Sequence, residues 1–169
     1  MITVGALNTK STPVRSDDVV ATYSSRGPTY IDQIVKPDLV APGNKIVSAE
    51  AAGSYLATAH PEQHRTVDGR GSFIELSGTS MSSAVVAGAA ALMLDANPQL
   101  RPAQVKFAMQ ITASFLADAG LLQGGAGSLN IPAAVDVAID GPGAQLPTSV
   151  IAGEQVIPSG VTDGVHGGV

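Results

Sequence analysis

Four hydroxyl side chains gather at one place in the sequence: Thr79, Ser80, Ser82 and Ser83, at the head of an apolar run from Met81 to Leu94. The run is too long for an ordinary strand and is rich in Ala, Leu and Met, so it predicts a helix. The first N–H groups of a helix have no partner inside it, and the macrodipole makes that end partly positive. A serine seated there projects its Oγ from a rigid element while its own backbone N–H faces a developing oxyanion, as acyl transfer requires. Position and composition leave a second role open, because Thr79 or Ser80 can also serve simply as the helix cap.

The elements that must hold this turn lie on both sides of it. The helix has no polar stripe, which predicts burial on every side, and it is too short and Ala-rich to cross a bilayer convincingly. Ser72–Leu76 alternates as the strand feeding the turn, and Ile2–Leu7 predicts a strand buried on both faces. Val19–Ser24 is a second strand candidate, closed by the turn Ser25-Arg26-Gly27-Pro28. Asp38–Ala41 and Ile46–Ala49 form short strands around Pro42-Gly43, with Asp38 expected as a structural carboxylate bonded to loop backbone. Asp95-Ala96-Asn97-Pro98 stops the serine helix. Pro102 opens another helix to about Ala113, with Val105, Ala108, Met109 and Thr112 at helical spacing. Gly124-Gly125-Ala126-Gly127 lacks the Lys-Ser/Thr of a phosphate loop. Asn130 caps a last helix, with Pro132 in its first turn, that ends near Asp140.

The irregular stretch from Ala51 to Gly71 carries His60 and His64 with Glu62 between them. Its end lies close before Ser80 in the chain, so either imidazole is a candidate base; a solvated loop with two surface histidines is the plainer alternative. Pro61 and the lack of a third ligand argue against zinc, and no metal or cofactor is expected. From Gly141 the composition turns to Gly, Pro, Ser and Thr, which predicts a linker or tail over 141–169; within it Thr148–Ile157 has the makings of a strand, and His166 is expected to be inert. The 169 residues suffice for one domain, 44% of them are hydrophobic and only 4% aromatic, and the net charge is −5. With few Lys and Arg and no basic cluster, nucleic acid is not an expected partner, and neither is a membrane. The chain has no cysteine, so disulfides are excluded. Met1-Ile2-Thr3-Val4 enters a strand pattern directly, with no signal peptide in view.

Gly78-Thr79-Ser80-Met81, followed by small residues and Val86-Ala87-Gly88-Ala89-Ala90-Ala91-Leu92, resembles the serine motif of the subtilisin-like serine peptidases. Thr3-Val4-Gly5-Ala6, Tyr23-Ser24-Ser25-Arg26-Gly27-Pro28-Thr29, Lys36-Pro37-Asp38-Leu39-Val40-Ala41-Pro42-Gly43 and Gly125-Ala126-Gly127 with Asn130 and Ala134 resemble further segments of that family, in order, over residues 2 to about 139. The resemblance makes Ser80 the nucleophile, with Thr79 as oxyanion support, and implies a secreted or extracellular enzyme. The family triad runs Asp, His, Ser. Its Asp-Ser/Thr-Gly turn, its His-Gly-Thr helix start and its oxyanion Asn segment do not occur here. Ala84 and Val85 stand where the family usually has Pro-His.

The expected fold is thus α/β, an incomplete subtilisin-like three-layer arrangement with a mostly parallel sheet and a buried central helix that starts at the nucleophile. Residues 1–140 form the C-terminal portion of a catalytic domain and 141–169 a Gly/Pro-rich tail. The expected function is a serine hydrolase acting by acyl transfer on an ester or peptide substrate, with the missing groups supplied by a complementary chain or a homo-oligomer. Two alternatives stand beside it: a free-standing minimal esterase recruiting His60 or His64, and a non-catalytic self-associating fragment.

Overall fold

The structure, a computed structural model, describes residues 1–67, 70–141, 146 and 148–162. Its centre is a short sheet of β1 (Val4–Asn8), β2 (Val19–Val20) and β3 (Leu39–Pro42) in the order β2-β1-β3. β1 and β3 run parallel, Val4 opposite Leu39 to Leu7 opposite Pro42, while β2 joins antiparallel at Leu7 and Asn8. The glycine-rich segment after residue 124 extends this sheet: Val40 bridges Ser128 in parallel, and Leu129 N–H donates to the Val40 carbonyl at 2.9 Å. Gly125 makes that entry possible, with φ +57° and a backbone approach to Pro37 and Asp38 that leaves no room for a Cβ. A second sheet, order β4-β6-β5, joins β4 (Ile46–Ala49), β6 (Arg70–Leu76) and β5 (His64–Val67), all antiparallel.

Among the described residues five α-helices follow along the chain: α1 (Tyr55–Ala59), α2 (Thr79–Ala96), α3 (Pro102–Thr112), α4 (Gly120–Gly124) and α5 (Ile131–Asp140). Asn130 caps α5 as its sequence predicts, accepting from Ala133 N–H at 3.2 Å. The core gathers Leu39 and Ala41 of β3, Val86, Ala89 and Met93 of α2, Val105, Ala108 and Met109 of α3, and Ala134, Val137 and Ala138 of α5. Small residues dominate, so the layers pack closely without aromatic filling.

Two expectations need correction in detail. Among the described residues, β1–β3 with its bridge to Ser128 is the parallel part of the sheet, and the other strand pairs are antiparallel. The serine helix is covered on one side and open on the other. Ser82, Val86, Ala89 and Met93, at helical spacing, face β1, β3 and α5, whereas Ala84, Ala87, Gly88, Ala91 and Leu92 are exposed. The reason is the width of the sheet: three short strands and one neighbouring helix cover a single flank. By length and composition α2, 18 residues with a mean hydropathy of 1.3, meets the minimum for a membrane span; its packing against β1, β3 and α5 gives it the part of a core helix.

The segment after Gly141 also does more than trail. β7 (Ser149–Ile151) and β8 (Glu154–Val156) form an antiparallel hairpin that buries Val156 and returns to the body, where Glu154 accepts the Arg15 backbone N–H at 2.7 Å and Ser159 N–H donates to the Ala113 carbonyl at 3.0 Å. His166 lies outside the described residues.

Asp38 ties the sheet to α3. It is 4% exposed, and its carboxylate accepts from Thr3 N–H at 2.7 Å, Thr3 Oγ1 at 2.9 Å, Lys36 Nζ at 2.6 Å and Lys106 Nζ at 2.9 Å. Burial pushes its pKa up, but the bonds from Lys106, Lys36 and Thr3 outweigh burial and bring it down to about 2. The folded value lies below the unfolded one near 3.8, so this stabilisation is full above about pH 4 and is lost as pH falls through about 2. Asp38→Asn should cost about 2–3 kcal/mol at neutral pH by leaving two lysines without their counter-charge. In thermal melts from pH 7 to pH 2, the variant should show a flatter acid decline than the parent. Parallel curves would refute the assignment.

Candidate active site

The turn that carries Ser80 is built from three segments distant in sequence. β6 ends at Leu76, paired with Ile46, and delivers Ser77 and Gly78 to the first turn of α2. The loop after β3 lies against it: Gly78 N–H donates to the Gly43 carbonyl at 2.8 Å, Lys45 N–H donates to Ser77 Oγ at 2.9 Å, and Gly43 N–H donates to the Leu7 carbonyl at 3.0 Å. From the third segment Tyr23 OH donates to the same Gly43 carbonyl at 2.9 Å, and desolvation raises the phenol's pKa. Beneath the turn Ser82 is fully buried, its Oγ without a hydrogen-bond partner among the described residues.

Thr79 and Ser80 are the first two residues of α2. The helix proper begins its bonding later, with Met81 and Ser82 N–H both directed at the Gly78 carbonyl. Among the described residues the N–H groups of Thr79 and Ser80 make no hydrogen bond, and Ser80 Oγ makes none either. Ser80 is exposed, Thr79 half-buried. Neither side chain caps the helix: its N-cap is Gly78, which has no side-chain bond to give. An exposed hydroxyl therefore stands beside free backbone donors at the positive end of an 18-residue helix, the arrangement an oxyanion needs.

The candidate histidines are engaged elsewhere. Ala51–Gly71, expected to be irregular, contains α1, a 3₁₀ turn at Pro61–Gln63, and β5 paired to β6. His64 Nε2 lies 2.8 Å from the Ala57 carbonyl and its Nδ1 lies 2.6 Å from Glu50 Oε2, a close ion-pair contact without aligned hydrogen-bond geometry. Both neighbours belong to the chain's own α1 and β4 region, so the contacts of the ring are with Ala57 and Glu50 and not with Ser80. His60 Nδ1 contacts Glu62 Oε1 at 3.1 Å, both side chains largely exposed. Among the described residues no hydrogen bond joins either imidazole to Ser80, and no group of three His, Asp or Glu is placed to hold a metal ion.

Tyr23, Gly43 and Ser82 frame the site without having been expected to. The Tyr23 and Gly43 segments are visible in the sequence; that they meet at residue 78 is tertiary information that local patterning does not carry.

A sequence model described as the subtilase family, peptidase S8, matches residues 1–133. The chain is 42% identical over 106 residues to the serine protease AprX of Bacillus subtilis, covering 63% of this chain and 23% of that protein. It is 40% identical over 101 residues to the subtilisin-like protease SBT1.3 of Arabidopsis thaliana, covering 59% of this chain and 12% of that one. In structure it is similar to fervidolysin from Fervidobacterium pennivorans, described as a keratinolytic enzyme related to subtilisin, with a TM-score of 0.61 and 29% identity over 88% of this chain and 20% of that chain. The CspB protease of Clostridium perfringens gives 0.58 and 26%, over 83% of this chain and 27% of that chain. The chain thus spans about a quarter or less of the proteins it resembles, and the α/β architecture is an incomplete subtilisin-like fold. With more than three-quarters of its length inside the family match, this chain belongs to the subtilase family.

Proposed function

We propose that this chain carries the nucleophile of a serine peptidase. Ser80 Oγ attacks a carbonyl carbon, and its proton passes to a general base supplied by a chain segment beyond this one. The carbonyl oxygen takes the negative charge toward the free Ser80 N–H, with Thr79 beside it. Collapse of the tetrahedral adduct breaks the scissile bond, the leaving group departs with the proton, and water later releases the acyl group. The single observation that supports this reading is the exposed, unbonded Ser80 hydroxyl next to unbonded backbone donors at the start of α2. The contacts of His64 with Ala57 and Glu50 speak against its recruitment as the base, and among the described residues no hydrogen bond joins His60 to Ser80.

The test is covalent labelling. Incubation with a fluorophosphonate followed by peptide mapping should place the adduct on Ser80. An adduct on another serine, or none after prolonged exposure in the presence of the remaining family segments, would sink the proposal. Acting alone, the chain should cleave activated esters more readily than peptides, because their leaving group needs no protonation.

In this reading the complement sits on α2. Exposed Ala84, Ala87, Gly88, Ala91 and Leu92 give α2 an open apolar flank, costly to leave in water. A second chain, identical or complementary, covers it in this reading. Sedimentation should therefore show association at micromolar concentration; a compact monomer across the whole concentration range would contradict it.

A further inference from the structure

A cleft of about 520 Å³ opens between the loop before β2, the turn after α3 and the β7–β8 hairpin, and none of its lining residues belongs to the serine turn. Its volume is that of a small-ligand or side-chain pocket. Val20, Leu116 and Val156 give it an apolar wall, and Asp18, Asp118, Glu154 and Arg15 its charges. The one cation is committed: Arg15 Nη2 donates to Ser128 Oγ at 2.6 Å and to the Leu129 carbonyl at 3.2 Å. Three carboxylates thus line the cleft against a single lining guanidinium, which hydrogen-bonds Ser128 and Leu129 while its charge partly offsets Asp18 and Glu154. A second, independent sign is the hydroxyl of Ser114, whose oxygen is buried in the lining yet has no hydrogen-bond partner among the described residues.

We infer that this cleft is a subsite for a basic peptide side chain, with the ammonium or guanidinium held by Asp18, Asp118 and Glu154 and its aliphatic stem lying on Val20, Leu116 and Val156. A long cationic side chain is amphipathic in the same way as the cleft: an apolar stem and a charged tip. In a chain of this family such a site would hold a polypeptide away from Ser80, and its occupancy does not depend on Ser80 being the nucleophile.

Asp18 makes the site respond to pH. Burial raises its carboxyl to about 6, Arg15 opposes this, Asp17 and Glu154 add to it, and Lys10 opposes it weakly. Below about pH 6 Asp18 takes up a proton and the cleft loses one of its anions.

The experiment uses the Ser80→Ala chain, so that no peptide is turned over, and two blocked tripeptides, acetyl-Leu-Lys-Leu-amide and its norleucine counterpart. Backbone amide shifts report binding. The lysine peptide should bind about tenfold more tightly than the norleucine peptide near neutral pH and should move the amides of Val20, Leu116 and Val156. Asp118→Asn and Glu154→Gln should each weaken the lysine peptide by about threefold or more without changing the norleucine peptide. Glu154→Gln keeps an acceptor for the Arg15 N–H, and Asp118 is exposed, so at least one variant tests charge without disturbing the hairpin. Lowering the pH to about 5 should weaken only the lysine peptide. Equal affinities for the two peptides, no binding of either at millimolar concentration, shifts confined to the start of α2, or two variants that both bind like the parent would each overturn the inference.

Discussion

Ser80→Ala should abolish fluorophosphonate labelling and lower ester turnover by at least about 10²-fold, while leaving the melting temperature almost unchanged. The two halves of that result come from the same observation. Ser80 Oγ makes no hydrogen bond among the described residues and is exposed, so its removal takes no contact from the folded chain; the expected stability change is within about 0.5 kcal/mol. The same freedom is what a nucleophile needs. In subtilisin, the enzyme that names the fold, loss of the serine alone costs on the order of 10⁶-fold in kcat when the base and the aspartate are in place. The chain acting without those groups starts far lower, so the measurable loss is smaller there and should grow when a complement supplies the base. That growth is itself informative. A Ser80→Ala variant that still labels, or that loses several degrees of melting temperature, would mean that the hydroxyl holds the turn together and that the reaction belongs elsewhere. Thr79→Val separates the neighbouring role: loss of a donor acting on the oxyanion should reduce turnover while labelling still maps to Ser80.

The elements most legible in the sequence are those whose ends are written in chemistry. α2 stops at Asn97-Pro98, α3 opens on Pro102, and α5 opens on Asn130 with Pro132, each where caps and proline place it. The polar turn running into an apolar helix marks the start of α2 for the same local reason, while the choice of Ser80 within it rests on the resemblance of Gly78-Thr79-Ser80-Met81 to the family motif. The less legible elements lack such marks. β5, His-Arg-Thr-Val, carries no alternating apolar face and is defined by its register with β6. α4 is a five-residue turn with glycine at both ends, which local propensity disfavours. β2 is two residues long where Val19–Ser24 predicts a longer strand, because the ladder ends at Ala21: its N–H still bonds the Ala6 carbonyl, but the Ala6 N–H donates to Ser24 Oγ at 3.0 Å and the Ala21 carbonyl accepts from Ser24 N–H. The open flank of α2 is a different case. Composition states that all its faces are apolar; what covers each face is a property of the neighbours, and this chain brings neighbours to one flank.

Gly43→Ala should be strongly destabilising, and its damage should centre on the serine turn. A Cβ at Gly43 would overlap Ser82 Oγ and lie 2.9 Å from both Ala6 Cβ and the Gly78 carbonyl oxygen. Two of these neighbours belong to α2 and its cap, and the third to β1; Ser82 Oγ is fully enclosed, and the Ala6 Cβ and Gly78 oxygen move only with the backbone. The loop cannot retreat without breaking the Gly43 N–H bond to Leu7, the Gly78 N–H bond to Gly43 and the Tyr23 OH bond to the Gly43 carbonyl. Overpacking of a close-packed core costs about 1–3 kcal/mol even where side chains can relax, so here a loss of about 3 kcal/mol or more is expected. The damage should also reach labelling, because the bonds at risk are those that fix Gly78, two residues before Ser80, the proposed nucleophile. Ser80 labelling in the folded fraction should slow by about tenfold or more, since misplacing a reacting group by a fraction of its contact distance is enough to do so. Ser82 supplies the control. Its hydroxyl is buried with no partner, so Ser82→Ala alone should be neutral or slightly stabilising. Combined with Gly43→Ala it removes one of the three clashes and leaves the other two, so the double variant should recover part of the lost stability, with a coupling of about 1 kcal/mol. Denaturant melts of the four chains measure that coupling directly. Additive effects, or a Gly43→Ala chain as stable and as reactive as the parent, would show that the serine turn does not rest on this loop.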